Sequence, residues 1–172
     1  GGCAANSGVN IIPLPGEDGL IDPNCLDYFV REDDHYMART SLLTLENTHN
    51  LAGGRVVPLA LMNSLCAKAR QHNLRVHLDG ARLFNAVVKS GNSAADICRG
   101  VDTVSFCLSK GLGAPIGSML GGSKEAIREA RRVRTRLGGA WRQAGLMAAG
   151  ALYALRNNVE RLSEDHRRAT ML

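Results

Sequence analysis

Lys110 follows an apolar run, Val101 to Leu108, that reads as a β-strand. Asp79 closes another such run, in which Leu74, Val76 and Leu78 alternate with Arg75, His77 and Asp79. An amine and a carboxylate at strand ends suit a cofactor with an aldehyde and a basic ring nitrogen. The amine condenses with the aldehyde as a Schiff base, and the carboxylate keeps the ring nitrogen protonated so that the ring draws electrons. Pyridoxal phosphate (PLP) makes these demands. Arg82, three residues beyond Asp79, supplies a cation near a helix start. His49, in Glu46-Asn47-Thr48-His49-Asn50, supplies an imidazole suited to moving a hydroxyl proton, directly or through water. Taken singly, each has a plainer interpretation. Lys110 is then a solvated lysine, Asp79 a helix cap, Arg82 a surface arginine, and His49 a loop histidine that bonds backbone and shapes a pocket.

The elements that must position these groups are legible as punctuation and period. Val9 to Leu14 is a β-branched run ended by Pro15-Gly16, and Asp22-Pro23 gives an N-cap followed by proline at the first helical position. Ser41 to Leu45 predicts a strand, with the polar run from Glu46 as the loop at its end. From Pro58, Leu59, Met62, Leu65, Cys66 and Ala69 recur at three and four, and Asn73 can end that helix in a left-handed conformation. Gly80 to Lys89 predicts a short helix and Pro115 to Leu120 a further strand. Ser123 caps a helix reaching Gly138-Gly139. Two more helices, Ala148 to Leu155 and Val159 to Arg168, follow, the first apolar enough to be buried between neighbours. Strands alternating with helices predict an α/β domain with a mostly parallel sheet, and the polar clusters at 46–50, 79–82 and 109–113 fall at strand ends, where such sheets bind ligands.

Composition narrows the function classes. A hydrophobic fraction of 45% with 22% charged residues suits one globular core, and no apolar stretch approaches the roughly 20 residues of a membrane span. Five cysteines without a C-x-x-C pair suggest neither a zinc knuckle nor a disulfide framework, so no metal is expected and a reducing, cytoplasmic setting is. The net charge of +5 concentrates in Arg128, Arg131, Arg132, Arg134 and Arg136. Without interleaved aromatics this reads as a solvated helix face, and no nucleic-acid partner is expected. Gly111, Gly113 and Gly117 have the spacing G-x-G-x-x-x-G before a strand, whereas a dinucleotide fingerprint is G-x-G-x-x-G opening a helix. His77 shares the polar face of Asp79 in a supporting or packing role, and His35, His72 and His166 receive none.

Four strings occur in order: Glu46 to Asn50 with Gly53-Gly54; His77-Leu78-Asp79-Gly80-Ala81-Arg82; Ser109-Lys110-Gly111-Leu112-Gly113-Ala114-Pro115; and Gly138-Gly139-Ala140-Trp141-Arg142-Gln143. Together they resemble the motifs of the low-specificity L-threonine aldolases across nearly the whole chain. The resemblance implies the large domain of a fold-type I, PLP-dependent transferase-like enzyme, its mostly parallel sheet flanked by helices and incomplete at both ends. Residues 1–140 would be the central part of that domain, and 141–172 helices leading toward a small C-terminal domain. It implies cleavage of a β-hydroxy-α-amino acid, L-threonine or L-allo-threonine, to glycine and acetaldehyde. Lys110 would hold the cofactor, Asp79 its pyridine nitrogen, and Arg82 its phenolic oxygen or the substrate carboxylate. His49 would lie near the substrate hydroxyl, and Arg142 would reach the phosphate of a neighbouring subunit's cofactor. A homo-oligomer with shared active sites, a homotetramer in this family, follows. Ala140 departs from the family's usual third glycine. Two other functions stay open: a truncated, catalytically impaired paralogue that keeps the scaffold or associates with intact subunits, and a nucleotide-binding α/β module, which the glycine spacing opposes.

Overall fold

The computed structural model describes residues 2–31 and 33–172. Its centre is a four-stranded sheet in the order β1 (Leu42–Glu46), β2 (Arg75–Asp79), β3 (Thr103–Cys107), β4 (Ser118–Gly122). The first three strands are parallel and β4 returns antiparallel to β3. Between them come α3 (Leu59–Gln71), α4 (Leu83–Ser90) and α5 (Ala94–Ile97). Two shorter helices, α1 (Gly2–Ser7) and α2 (Leu26–Phe29), precede β1, and α6 (Lys124–Arg136), α7 (Gly145–Asn157) and α8 (Leu162–Ala169) follow β4.

Alternation in β1 and β2 decides which face is buried. Leu43 and Leu45, with Val76 and Leu78, pack against Met62, Leu65, Cys66 and Ala69 of α3. Leu83 and Ala86 of α4 and Ile97 of α5 join the same core, so α3, α4 and α5 lie on that side. The opposite face carries Leu42, Thr44 and Glu46 on β1 beside Arg75, His77 and Asp79 on β2. A second core joins Leu108, Leu112 and Ala114 to Ala151, Ala154 and Leu162.

Local signals set most element ends. Asp22 accepts the Asn24 N–H at 2.9 Å above the 3₁₀ turn Pro23–Cys25, Pro58 precedes α3, and Asn73 turns left-handed at φ +57°. Ser123 accepts the Ala126 N–H at 3.2 Å to cap α6.

Other expectations are corrected. Val9 to Leu14 forms no strand: Pro13 lacks a donor and no neighbouring strand pairs with the run, which leaves Ile11 exposed. α4 begins at Leu83, because residues 80–82 form a turn first, and β4 starts at Ser118 rather than Pro115. The four-residue α5 was not expected, being too short to show a period. The apolar stretch in α7 buries only Ala151 and Ala154, while Leu146, Leu152 and Tyr153 stay exposed.

Candidate active site

The parallel ladder continues past the strand ends. Asn47 N–H donates to the Asp79 carbonyl at 3.0 Å, and Gly80 N–H to that of Ser105 at 2.7 Å. Glu46 is thereby fixed in register beside Asp79. A cleft of about 280 Å³ opens there, lined by Glu46, His49 and Asp79 together with Gly19, Met62 and Leu65. The loop after β1 is anchored by the buried Asn47 side chain, whose Oδ1 accepts the Val57 N–H at 3.2 Å and whose Nδ2 donates to the Val57 carbonyl at 3.3 Å.

His49 is held closely within that loop. Its N–H donates to the Arg55 carbonyl at 2.8 Å, and its carbonyl accepts the Gly54 N–H at 2.9 Å. Ring Nδ1 accepts the Ala52 N–H at 3.2 Å. Glu46 Oε1 accepts the Asn50 N–H at 3.1 Å, while Oε2 lies 4.0 Å from His49 Nε2. The turn 17–20 closes on the ring: a Cβ at Gly19 would stand 2.6 Å from His49 Cγ. An ion pair of 2.8 Å between Asp18 and Arg55 ties that turn to the loop.

Lys110 and Arg82 meet elsewhere. Both line a depression of about 10 Å³, no larger than a water molecule, with Ala81, Cys107 and Gly111. The Lys110 loop closes on itself, with Ala114 N–H donating to the Leu108 carbonyl at 3.0 Å and Gly113 N–H to that of Lys110 at 2.8 Å. It also docks on the last helices: Asn158 Nδ2 donates to the Leu112 carbonyl at 2.7 Å, and a Cβ at Gly111 would stand 2.7 Å from Leu162. Of the three polar clusters, residues of two line the larger cleft, while Lys110 and Gly111 of the third line the smaller depression with Ala81 and Arg82. Arg142 is exposed between α6 and α7 and lines neither space.

The donor set fits PLP at two points. Lys110 offers an exposed amine, and Asp79 commits one oxygen to the Ala81 N–H at 3.0 Å, leaving the other for a protonated ring nitrogen. For the phosphate, the resemblance implies Arg142, as a contact to a neighbouring subunit's cofactor. Behind Asp79, His77 Nδ1 lies 2.8 Å from Thr103 Oγ1. Burial depresses the pKa of His77, more than the neighbouring Asp79 charge restores. Motif and spacing point to no role for Glu46 or Gly19. The position of Glu46 at the end of the strand leading to His49 was the available signal, whereas nothing local connects Gly19 to a ring thirty residues away. Among the described residues no group of three or more His, Cys, Asp or Glu side chains could hold a metal ion.

Residues 1–172 match the family described as beta-eliminating lyase. The chain is 42% identical to a low specificity L-threonine aldolase of Escherichia coli strain K12, over 100% of this chain and 51% of that protein. It is 40% identical to low-specificity L-threonine aldolase 1 of Arabidopsis thaliana, over 91% of this chain and 44% of that protein. The chain thus spans about half the length of the curated relatives it matches. A solved structure of Leishmania major threonine aldolase superposes with a TM-score of 0.79 at 23% identity, covering 94% of this chain and 48% of the other, which shows the shared fold.

Proposed function

Because the chain belongs to the beta-eliminating lyase family, we propose that it works in PLP-dependent cleavage of L-threonine or L-allo-threonine to glycine and acetaldehyde. The observation that carries this proposal is the gathering of strand-end residues into adjacent spaces, His49 and Asp79 in one and Lys110 and Arg82 in the other. The likeness to proteins named threonine aldolase supports the substrate class.

When bound, PLP supplies an electron sink for breaking the bond between the α- and β-carbons of the substrate. Lys110 would hold it by its aldehyde, and Asp79 would keep a proton on the ring nitrogen. Arg82 would bind the phenolic oxygen or the substrate carboxylate, for which a planar guanidinium is suited. His49 would stand at the β-hydroxyl oxygen, whose proton must leave as the bond breaks. Arg142, exposed as it is, would reach the phosphate of a cofactor in a neighbouring subunit. That arrangement calls for a homo-oligomer, a homotetramer by family likeness, and we place the enzyme in the cytoplasm. No helix among the described residues is long and apolar enough to cross a membrane, and all five cysteines are free thiols.

The test is to add PLP to the purified chain, record its visible absorption band, and repeat with Lys110→Ala. The parent should show the band, the variant should lose it, and the parent should release acetaldehyde from threonine. Absence of a band in the parent rejects cofactor binding. A second proposal, a catalytically impaired paralogue that keeps the scaffold or associates with intact subunits, is favoured by Arg142 lining neither space. It predicts a band without acetaldehyde, and activity on mixing with a full-length relative.

A further inference from the structure

The Ala52 amide fixes which nitrogen of His49 carries the proton. A ring nitrogen that accepts a backbone N–H is unprotonated, so the neutral imidazole holds its hydrogen on Nε2. Taking up a second proton would require Nδ1 to give up its hydrogen bond. The ring is also poorly placed to turn, because Gly19 lies against it with no room for even a methyl group. Charged groups approach this ring from three elements. Glu46, at the end of β1, places Oε2 at 4.0 Å from Nε2. Asp18, in the turn 17–20, is neutralised by Arg55, and Asp79, at the end of β2, lines the same cleft. Among the described residues no lysine or arginine lines that cleft. The Nε2 proton therefore faces an anionic surrounding, with Glu46 nearest, at a separation that a single shared water can bridge.

We infer that His49 serves the proposed reaction as a fixed hydrogen-bond donor through Nε2 rather than as a proton acceptor, with Glu46 the positioning residue that keeps the proton there. The inference rests on the function proposed above and makes it more specific. The imidazole would recognise an oxygen of the β-hydroxy-α-amino acid by donating to it, and the β-hydroxyl proton would leave to a water molecule rather than to the ring. Glu46 acts through the ring: Oε1 braces the loop by accepting the Asn50 N–H, while Oε2 favours the protonated Nε2.

The tautomer can be read without cofactor. In the full chain labelled with ¹⁵N at histidine and at the backbone, at about pH 8 so that an ordinary imidazole is neutral, NMR should show His49 in a single Nε2–H form. A scalar coupling should link Nδ1 to the Ala52 amide, and a slowly exchanging Nε2 proton should lie close to the Glu46 methylene protons. Glu46→Gln keeps an oxygen for the Asn50 N–H but turns an amide donor toward the ring. The proportion of the Nδ1–H form should then rise about fivefold or more, while other histidine signals hold their places. Fast averaging of two tautomers in the parent overturns the inference, as does a folded Gln variant with the parent's ratio. Should that variant lose its dispersed amide signals, the parent's Nε2 proton decides: slow exchange with a contact to Glu46 supports the assignment, and absence of either overturns it. These measurements contain no PLP, so failure of the absorption test and failure of this inference are distinguishable.

Discussion

At Gly19 two constraints coincide: a φ of +77°, which L side chains rarely adopt, and a missing Cβ whose place lies 2.6 Å from the His49 ring. Gly19→Ala should cost about 1–3 kcal/mol of stability and displace the imidazole from the cleft. Denaturant unfolding together with the His49 ring signals would show it, and unchanged signals would contradict the packing described. His77 makes a different prediction. Burial holds its folded pKa below the ordinary histidine range, so the unfolded chain takes up the proton first as pH falls. Its stabilising contribution is complete above about pH 6.5, the unfolded value, and declines as the pH drops from there through the folded pKa. His77→Gln, which keeps a partner for Thr103, should show a smaller loss of denaturation midpoint between about pH 7 and pH 5.5 than the parent.

Among the elements, β2 is tied to its neighbours through Asp102, just before β3. Its carboxylate accepts the Val76 N–H at 2.7 Å, Arg70 of α3 at 2.8 Å and Arg75 at 3.1 Å. Burial alone would raise this carboxyl, but the bonds from Arg70, Val76 and Arg75 outweigh it and hold the group below the usual carboxylate range. A carboxyl so lowered stabilises the fold above its unfolded pKa of about 3.9 and loses that effect as pH falls through the folded value. Asp102→Ala should destabilise by about 1–3 kcal/mol near neutrality, chiefly by stranding the Val76 N–H. The difference from the parent should shrink in acid, which urea unfolding at pH 7 and pH 3 would reveal. The Lys110 loop depends likewise on a distant element, since Asn158 at the end of α7 binds the Leu112 carbonyl. Asn158→Ala should therefore weaken PLP uptake without touching any residue proposed to bind it, as measured by titration of the visible band.

For the molecule as a whole, the open side of α7 bears on the proposed assembly. Leu146 is 77% exposed and Tyr153 65%, seven residues apart and so on one face of α7. Two large apolar residues left open on one face are where the proposed homo-oligomer would associate. Sedimentation should find the parent heavier than its 18.4 kDa chain. Leu146→Glu with Tyr153→Glu should shift it toward the monomer, and a parent already monomeric would remove this support for the homo-oligomer.

The strand ends bearing Glu46 and Asp79, the helix begun at Pro58 and the cap at Ser123 were legible in the sequence, because each rests on alternation, period or a local hydrogen bond among near neighbours. The four ordered strings carried the resemblance to the aldolases for the same reason: each is a continuous stretch of chain. Three features depended on the tertiary structure. Proline and the want of a pairing strand left residues 9–14 irregular despite their β-branched composition. The apolar run of α7 looked buried, but composition does not say whether a neighbour is present to cover it. The division of the predicted residues between two spaces, His49 with Asp79 and Lys110 with Arg82, was set by where the Lys110 loop docks on α7 and α8. The sequence determined which chemical groups stand at the strand ends. How those groups face one another, and that Gly19 closes on the His49 ring, came from contacts between loops that no local spacing encodes.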